Sequence, residues 1–113
     1  MSDCIFCKIA NGEIPSDKVY EDDSILAFRD LDPQAPVHVL IIPKKHIQSL
    51  DQATDDDAEI LSHILLKVKD IAKDQKLKKG YRVVINTGAE GGQSVLHLHA
   101  HILGKRQMKW PPG

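Results

Sequence analysis

Apolar residues follow two rhythms along this chain. From Thr54 to Leu77 they keep helical time: Ile60, Ile64, Val68 and Ile71 recur along one face, and Leu61, Leu65 and Ala72 widen the stripe. This predicts one long helix, with Thr54 as its cap, Asp55, Asp56 and Asp57 at the positive end of its dipole, and Gly80 at its exit. A short helix is predicted over "DCIFCKIANGE", capped by Asp3 and stopped at Gly12. Elsewhere the rhythm is that of strands. "KVYED" and "ILAFRDL" read as two strands joined by a turn at Asp22-Asp23-Ser24, and "DPQAP" as a loop fixed by Pro33 and Pro36. "VHVLIIP" is a buried strand rich in β-branched residues. "YRVVINT" and "VLHLHAHILG" are two more strands, with the glycine-rich "GAEGGQS" between them. The order is a short helix, three strands, a long helix and two strands. That order predicts an α+β fold with the long helix packed on one face of an antiparallel sheet.

Composition narrows the class. A chain of 113 residues, 42% hydrophobic and 27% charged, is expected to form a single domain over 1–113. Its net charge of -1 gives no overall basic field, so no nucleic-acid polymer is expected as partner. No run approaches the ~20 apolar residues of a membrane span, and "MSDCIFCKIANGE" lacks the pattern of a secretory leader. Cys4 and Cys7 are too close and too few for a disulfide framework, which points to reduced thiols and a cytoplasmic setting.

The chemistry concentrates in "LHLHAHILG", where His97, His99 and His101 occupy every second position. On a strand they would share one face at a spacing of about 6.6 Å, with Leu98, Ala100 and Ile102 turned to the core. Such a row suits a zinc site, nucleophilic phosphoryl chemistry or a merely polar face. A neutral imidazole can approach an anionic phosphate without repulsion. The neighbouring "GAEGGQS" offers backbone N–H groups and the Ser94 hydroxyl to an anion, though it lacks the Lys-Ser/Thr of a P-loop. Cys4-x-x-Cys7 has zinc-compatible spacing but supplies two ligands of the four required, and it could equally be a redox pair. His63, inside the long helix, reads as a surface residue.

"HLHAHIL" fits the pattern His-φ-His-φ-His-φ-φ, where φ is apolar. With "IFCKIANGEIP", "AFRDLDPQAPVHVLIIPKKHI", "GYRVVINTGAEGGQSVLHLHAHILG" and "RQMKWPPG", the chain resembles the histidine triad (HIT) family, in its nucleotide-binding Hint branch. The resemblance implies a homodimer with the sheet continued across the interface, and a purine nucleotide or nucleoside phosphoramidate as ligand. It implies hydrolysis of the phosphorus–nitrogen bond through a nucleotidyl intermediate on His99. In that scheme His101 donates to the phosphate or the departing group, and His97 and His38 orient the cluster. Related activities remain open: nucleotidyl transfer to another acceptor, or a non-catalytic nucleotide-binding or scaffold role.

By the same resemblance Asp30 would take the ribose hydroxyls, while Phe6, Ile9, Ile14, Phe28 and Leu31 form the base pocket with Arg29 at its edge. Asn86, Gly92, Gln93 and Ser94 would surround the phosphate and leaving group, and Trp110 would reach the partner's site. Phe6, Ile9, Ile14, Phe28 and Leu31 can equally be read as core residues, and Asp30 as a turn former. A subset of the family binds structural zinc, which maps here onto Cys4, Cys7, His46 and His97, with no metal required for catalysis. The chain departs from the family pattern at Arg29, where relatives often carry His, and at Lys105, which replaces a common Gly.

Overall fold

A computed structural model describes residues 3–113. Five strands form one antiparallel sheet: β1 (Lys18–Glu21), β2 (Ile25–Arg29), β3 (Val37–Pro43), β4 (Tyr81–Val84) and β5 (Ala100–Gly104). Their spatial order is β1-β2-β3-β5-β4, so the histidine-bearing strand pairs with β3 on one side and β4 on the other. Two helices, α1 (Ile5–Ala10) and α2 (Ala58–Asp74), complete the α+β architecture expected from the sequence. Among the described residues, no helix is long and apolar enough to cross a membrane.

Alternation along the strands divides the core in two. Ile25, Ala27, Val39, Ile41, Ala100 and Ile102 face α2 and pack on Ile64, Val68, Ile71 and Ala72. Leu26, Phe28, Leu40 and Ile42 face the other way and pack on Phe6 and Ile9 of α1. Each fully buried aliphatic side chain contributes roughly 1.5–3 kcal/mol. A one-residue slip of β3 or β5 would therefore forfeit both layers at once.

The helices differ from expectation at their ends. In α1 the N-cap is Cys4 rather than Asp3, its sulfur accepting the Cys7 N–H at 3.3 Å. Gly12 does close that helix, at φ +80°, with Glu13 N–H reaching the Lys8 carbonyl at 2.8 Å. The long helix is entered through a 3-10 turn at Asp55–Asp57, where the Asp57 carboxylate accepts the Thr54 N–H at 2.9 Å. It ends at Asp74, short of the expected Leu77 and Gly80. Lys76 turns left-handed at φ +62°, and the Leu77 N–H bonds back to the Ala72 carbonyl at 2.9 Å. Such a conformation costs a residue with a β-carbon on the order of 1 kcal/mol, which is why the sequence points to Gly80 instead.

The strands are also shorter than their hydrophobic runs suggest. β2 stops at Arg29, β4 stops at Val84, and pairing in β5 begins only at Ala100. His97 and His99 therefore precede the strand rather than lie on it. Leu98 is nonetheless buried with Ala100 and Ile102 against α2, as the alternation requires. His63 is not an idle surface residue: its Nε2 lies 2.6 Å from Asp22. The Asp22 carboxylate also accepts the Tyr20 hydroxyl and the Ser24 and Ile25 N–H groups. Burial acts to raise its pKa, but these bonds win and hold it well below the usual carboxylate range.

Candidate functional site

The triad histidines occupy the sheet face opposite α2, beneath the short helix. His97 and His99 are buried, at 0% and 4% exposure, and His101 is partly buried. They are not a solvated polar row. The Phe6 ring meets His97 and His99 edge-on, with centroids 5.9 and 5.1 Å apart. His101 pairs in register with Leu40 of β3 and Val84 of β4.

Each ring has a defined protonation pattern, because carbonyls only accept and backbone N–H groups only donate. His99 Nδ1 lies 2.7 Å from the His97 carbonyl, so Nδ1 carries the proton and Nε2 keeps its lone pair. His97 Nε2 lies 2.8 Å from the Pro43 carbonyl, so its lone pair is on Nδ1. The Gln34 backbone N–H donates to His38 Nδ1 at 3.0 Å. The His38 proton is therefore on Nε2, from which it donates to His101 Nδ1 at 2.9 Å. That leaves the His101 proton on Nε2, as a donor.

Burial favours the neutral form of His38, His97 and His101. It lowers the His101 pKa to about 4, helped by His99 and His38 and opposed by Asp30. His38 is likewise pushed down by burial against the opposing pull of Asp30 and Asp32. The site thus holds one unprotonated ring nitrogen at His99 and one N–H donor at His101. That pairing is what attack on an electrophile beside a negatively charged oxygen requires.

A second cluster adjoins the first. Cys4, Cys7, His46 and His97 bring four potential ligand atoms within 4.8 Å of one another. His97 Nδ1 lies 3.3 Å from Cys4 Sγ, 3.6 Å from Cys7 Sγ and 3.2 Å from His46 Nδ1, and Cys7 Sγ lies 3.2 Å from His46 Nδ1. A tetrahedral zinc ion with ordinary bond lengths would space such atoms by roughly 3.3–3.6 Å. The His97 lone pair already points into the cluster, and Pro43 fixes its ring from behind. These four residues fit a closed Cys₂His₂ zinc site, which has no position left for water. Asp30, His38 and His101 also converge, but the His38 nitrogen facing that group carries a proton, so the ring cannot act as a ligand there.

The remaining expected residues divide into two sets. Phe6, Ile9 and Phe28 are buried in the core layer under α1, with Ile14 packed against it. Leu31 is 99% exposed and belongs to no core. Arg29 is exposed and lies 3.6 Å from Asp17. Asp30 accepts the Asp32 N–H at 2.8 Å and places its other oxygen 3.5 Å from His38 Nε2. In the glycine-rich loop the Gln93 amide is engaged internally, accepting from Gly88 N–H and donating to the Gln48 and Val95 carbonyls. Asn86 donates to the Gly91 carbonyl at 2.7 Å. A β-carbon on Gly91 would collide with the Thr87 backbone, so this loop is tightly wound. Gly92 takes φ +80°, and Ser94 is exposed at the loop's end. Trp110 is 83% exposed. Gln34, which sets the His38 ring, escaped the sequence reading, because its contribution is a backbone N–H that any residue but proline could supply.

A five-stranded antiparallel sheet with one long helix and an ordered histidine array defines the class of protein. The HIT domain pattern matches residues 11–108, and the chain belongs to the HIT family. An uncharacterized HIT-like protein of Synechococcus elongatus is 59% identical over 98% of this chain and 97% of its own length. Among solved structures, a HIT family hydrolase from Legionella pneumophila is 56% identical, with a TM-score of 0.96 over 98% of this chain and all of that one. A histidine triad nucleotide-binding protein from Candida albicans is 41% identical, with a TM-score of 0.85 over 96% of this chain and 83% of that one.

Proposed function

We propose that the chain is a nucleoside 5′-phosphoramidate hydrolase of the Hint type, acting through a nucleotidyl intermediate on His99. The observation that carries this reading is the bond from His99 Nδ1 to the His97 carbonyl, which leaves Nε2 as an unprotonated nucleophile. Nε2 attacks the α-phosphorus in line, the phosphorus–nitrogen bond breaks, and the departing nitrogen takes a proton from water and leaves as the amine. Water then cleaves the phosphorus–Nε2 bond and releases the nucleoside monophosphate.

His101 has a narrower role than that of a general acid. With its pKa near 4 it is a neutral ring at ordinary pH, and its Nε2–H steadies a phosphate oxygen by hydrogen bonding rather than giving up its proton. Ser94, exposed at the loop's end, would serve the leaving group as the family resemblance implies. Cys4, Cys7, His46 and His97 would hold a zinc ion, which when bound supplies rigidity rather than an activated water. His97 itself contributes through its carbonyl.

The Hint-type homodimer is supported by what the single chain leaves uncovered. β4 is an edge strand with Tyr81 and Val83 exposed, and α2 exposes Leu65 and Leu66. Uncovered edges of this kind favour strand addition. The membership and the likeness to a HIT family hydrolase and a nucleotide-binding relative support the reaction class.

The test is AMP release from adenosine 5′-phosphoramidate by wild type and by His99→Gly, with and without a mild chelator. Release that survives chelation and disappears in the variant is expected. Equal turnover by the variant would remove the nucleophile. Transfer of the nucleotidyl group to an added phosphate acceptor in preference to water would make the protein a transferase.

A further inference from the structure

One proton in the histidine array has two acceptors within reach. His38 Nε2–H donates to His101 Nδ1 at 2.9 Å, and an oxygen of the Asp30 carboxylate lies 3.5 Å from the same nitrogen. His38 has no second proton to offer, because its Nδ1 takes the Gln34 backbone N–H at 3.0 Å. One oxygen of Asp30 and one nitrogen each of His38 and His101 lie within 4.8 Å of one another. The carboxylate pulls on both rings, opposing the burial that disfavours their charged forms.

The backbone holds this competition in place. Asp30 directly follows β2, and its N–H bonds to the His38 carbonyl at 3.0 Å, which keeps the carboxylate beside the ring. Oδ1 accepts the Asp32 N–H at 2.8 Å and leaves Oδ2 facing His38. Among the described residues no other side chain donates to Oδ2. The His38 side chain is 3% exposed and that of Asp30 22%, so the acid, unlike the ring, can meet a ligand from solvent.

We propose that Asp30 is a positioning residue that couples the sugar of a bound ribonucleotide to the phosphate-binding N–H of His101, by way of His38. The proposal rests on the hydrolase reading for the class of ligand. A ribose diol offers the carboxylate two O–H donors. These satisfy Oδ2 and end its claim on the His38 proton, which then goes to His101 alone. Fuller donation into His101 Nδ1 polarises that ring and makes its Nε2–H a stronger donor to a phosphate oxygen. Contact at the sugar thereby strengthens a hydrogen bond where charge develops, at phosphorus. No proton changes nitrogen in this coupling; only its sharing changes.

The test compares adenosine 5′-phosphoramidate with its 2′,3′-dideoxy analogue in wild type and Asp30→Asn, reading kcat and KM separately. In wild type, loss of the diol should raise KM and also lower kcat roughly threefold, part of the about tenfold that one hydrogen bond is worth. In Asp30→Asn the amide oxygen keeps the Asp32 N–H bond and the NH2 group faces His38, which it cannot accept from. Its kcat should therefore ignore the diol, and on the dideoxy substrate it should exceed that of wild type. A residue that only grips sugar, or only shapes the loop, would not make its variant faster. The nitrogen-15 and proton shifts of His38 Nε2–H give a readout without turnover. AMP should move them further than 2′,3′-dideoxy-AMP does in wild type, and equally far in Asp30→Asn. If no phosphoramidate is hydrolysed but His38 still distinguishes the two nucleotides, the reaction assignment fails and the coupling stands. A diol effect confined to KM, an equal kcat loss in both proteins, or a wild-type His38 signal that treats the two nucleotides alike would overturn it.

Discussion

His97 and His99 are joined by a 2.7 Å hydrogen bond from the ring of the second to the carbonyl of the first. His97 thus serves two clusters with different atoms, its ring nitrogen facing the thiols and its backbone oxygen orienting the neighbouring imidazole. A metal held on that ring would act on reactivity only by stiffening the carbonyl behind it.

Zinc loss should therefore cost stability before it costs chemistry. We expect about one zinc per chain by elemental analysis, and none in Cys4→Ser, Cys7→Ser. At a thousandfold excess over Kd a bound ion stabilises by roughly 4 kcal/mol, so Tm should fall by at least ~10 °C on stripping. Turnover measured well below the lowered Tm should persist.

The bond from His38 to His101 makes a separate prediction. In His38→Ala, His101 loses the donor that keeps its own proton on Nε2. Turnover should drop about tenfold, the equivalent of one hydrogen bond, with a smaller change in KM. Nitrogen-15 shifts of the His101 ring should report a protonated Nε2 in wild type and mixed tautomers in the variant; an unchanged ring would refute the assignment.

Acid should loosen the fold through His101. Its pKa drops from 6.5 when free to about 4 in the folded chain. Between those values the unfolded state binds more protons, so stability is complete above pH 6.5 and declines as pH falls toward 4. The ceiling is about 3 kcal/mol, and on the order of 2 remains after discounting the ring's exposed part. Urea denaturation across this range should show a shallower pH slope in His101→Gln.

Gly104 has no room for a side chain. Gly104→Ala would drive a methyl into Leu77, whose side chain already lies within 2.6 Å of that position. Overpacking of this kind costs about 1–3 kcal/mol. The companion change Leu77→Val should recover part of the loss, and a neutral Gly104→Ala would show that the helix exit does not pack there.

Much of this arrangement was legible before the fold was known. β3 runs from Val37 to Pro43 as its apolar pattern implied, because a strand buried on both faces leaves little ambiguity. Leu98, Ala100 and Ile102 entered the core as alternation required. The helix exit was not legible: Leu77 continues the apolar rhythm, but it does so from a hairpin-tight turn at a lysine that gives no local signal. Nor was Asp22 with His63, or Gln34 with His38, since such pairings exist only once distant segments meet. The burial of the triad followed from α1 covering that face, a tertiary fact that no period within "LHLHAHILG" encodes.

Asp22 closes the turn between β1 and β2 and, with the same carboxylate, grips His63 in the middle of α2. The edge hairpin therefore cannot fray on its own without also releasing the helix that roofs it. Amide exchange in β1, β2 and the centre of α2 should follow one shared opening event, and Asp22→Asn should split it into two.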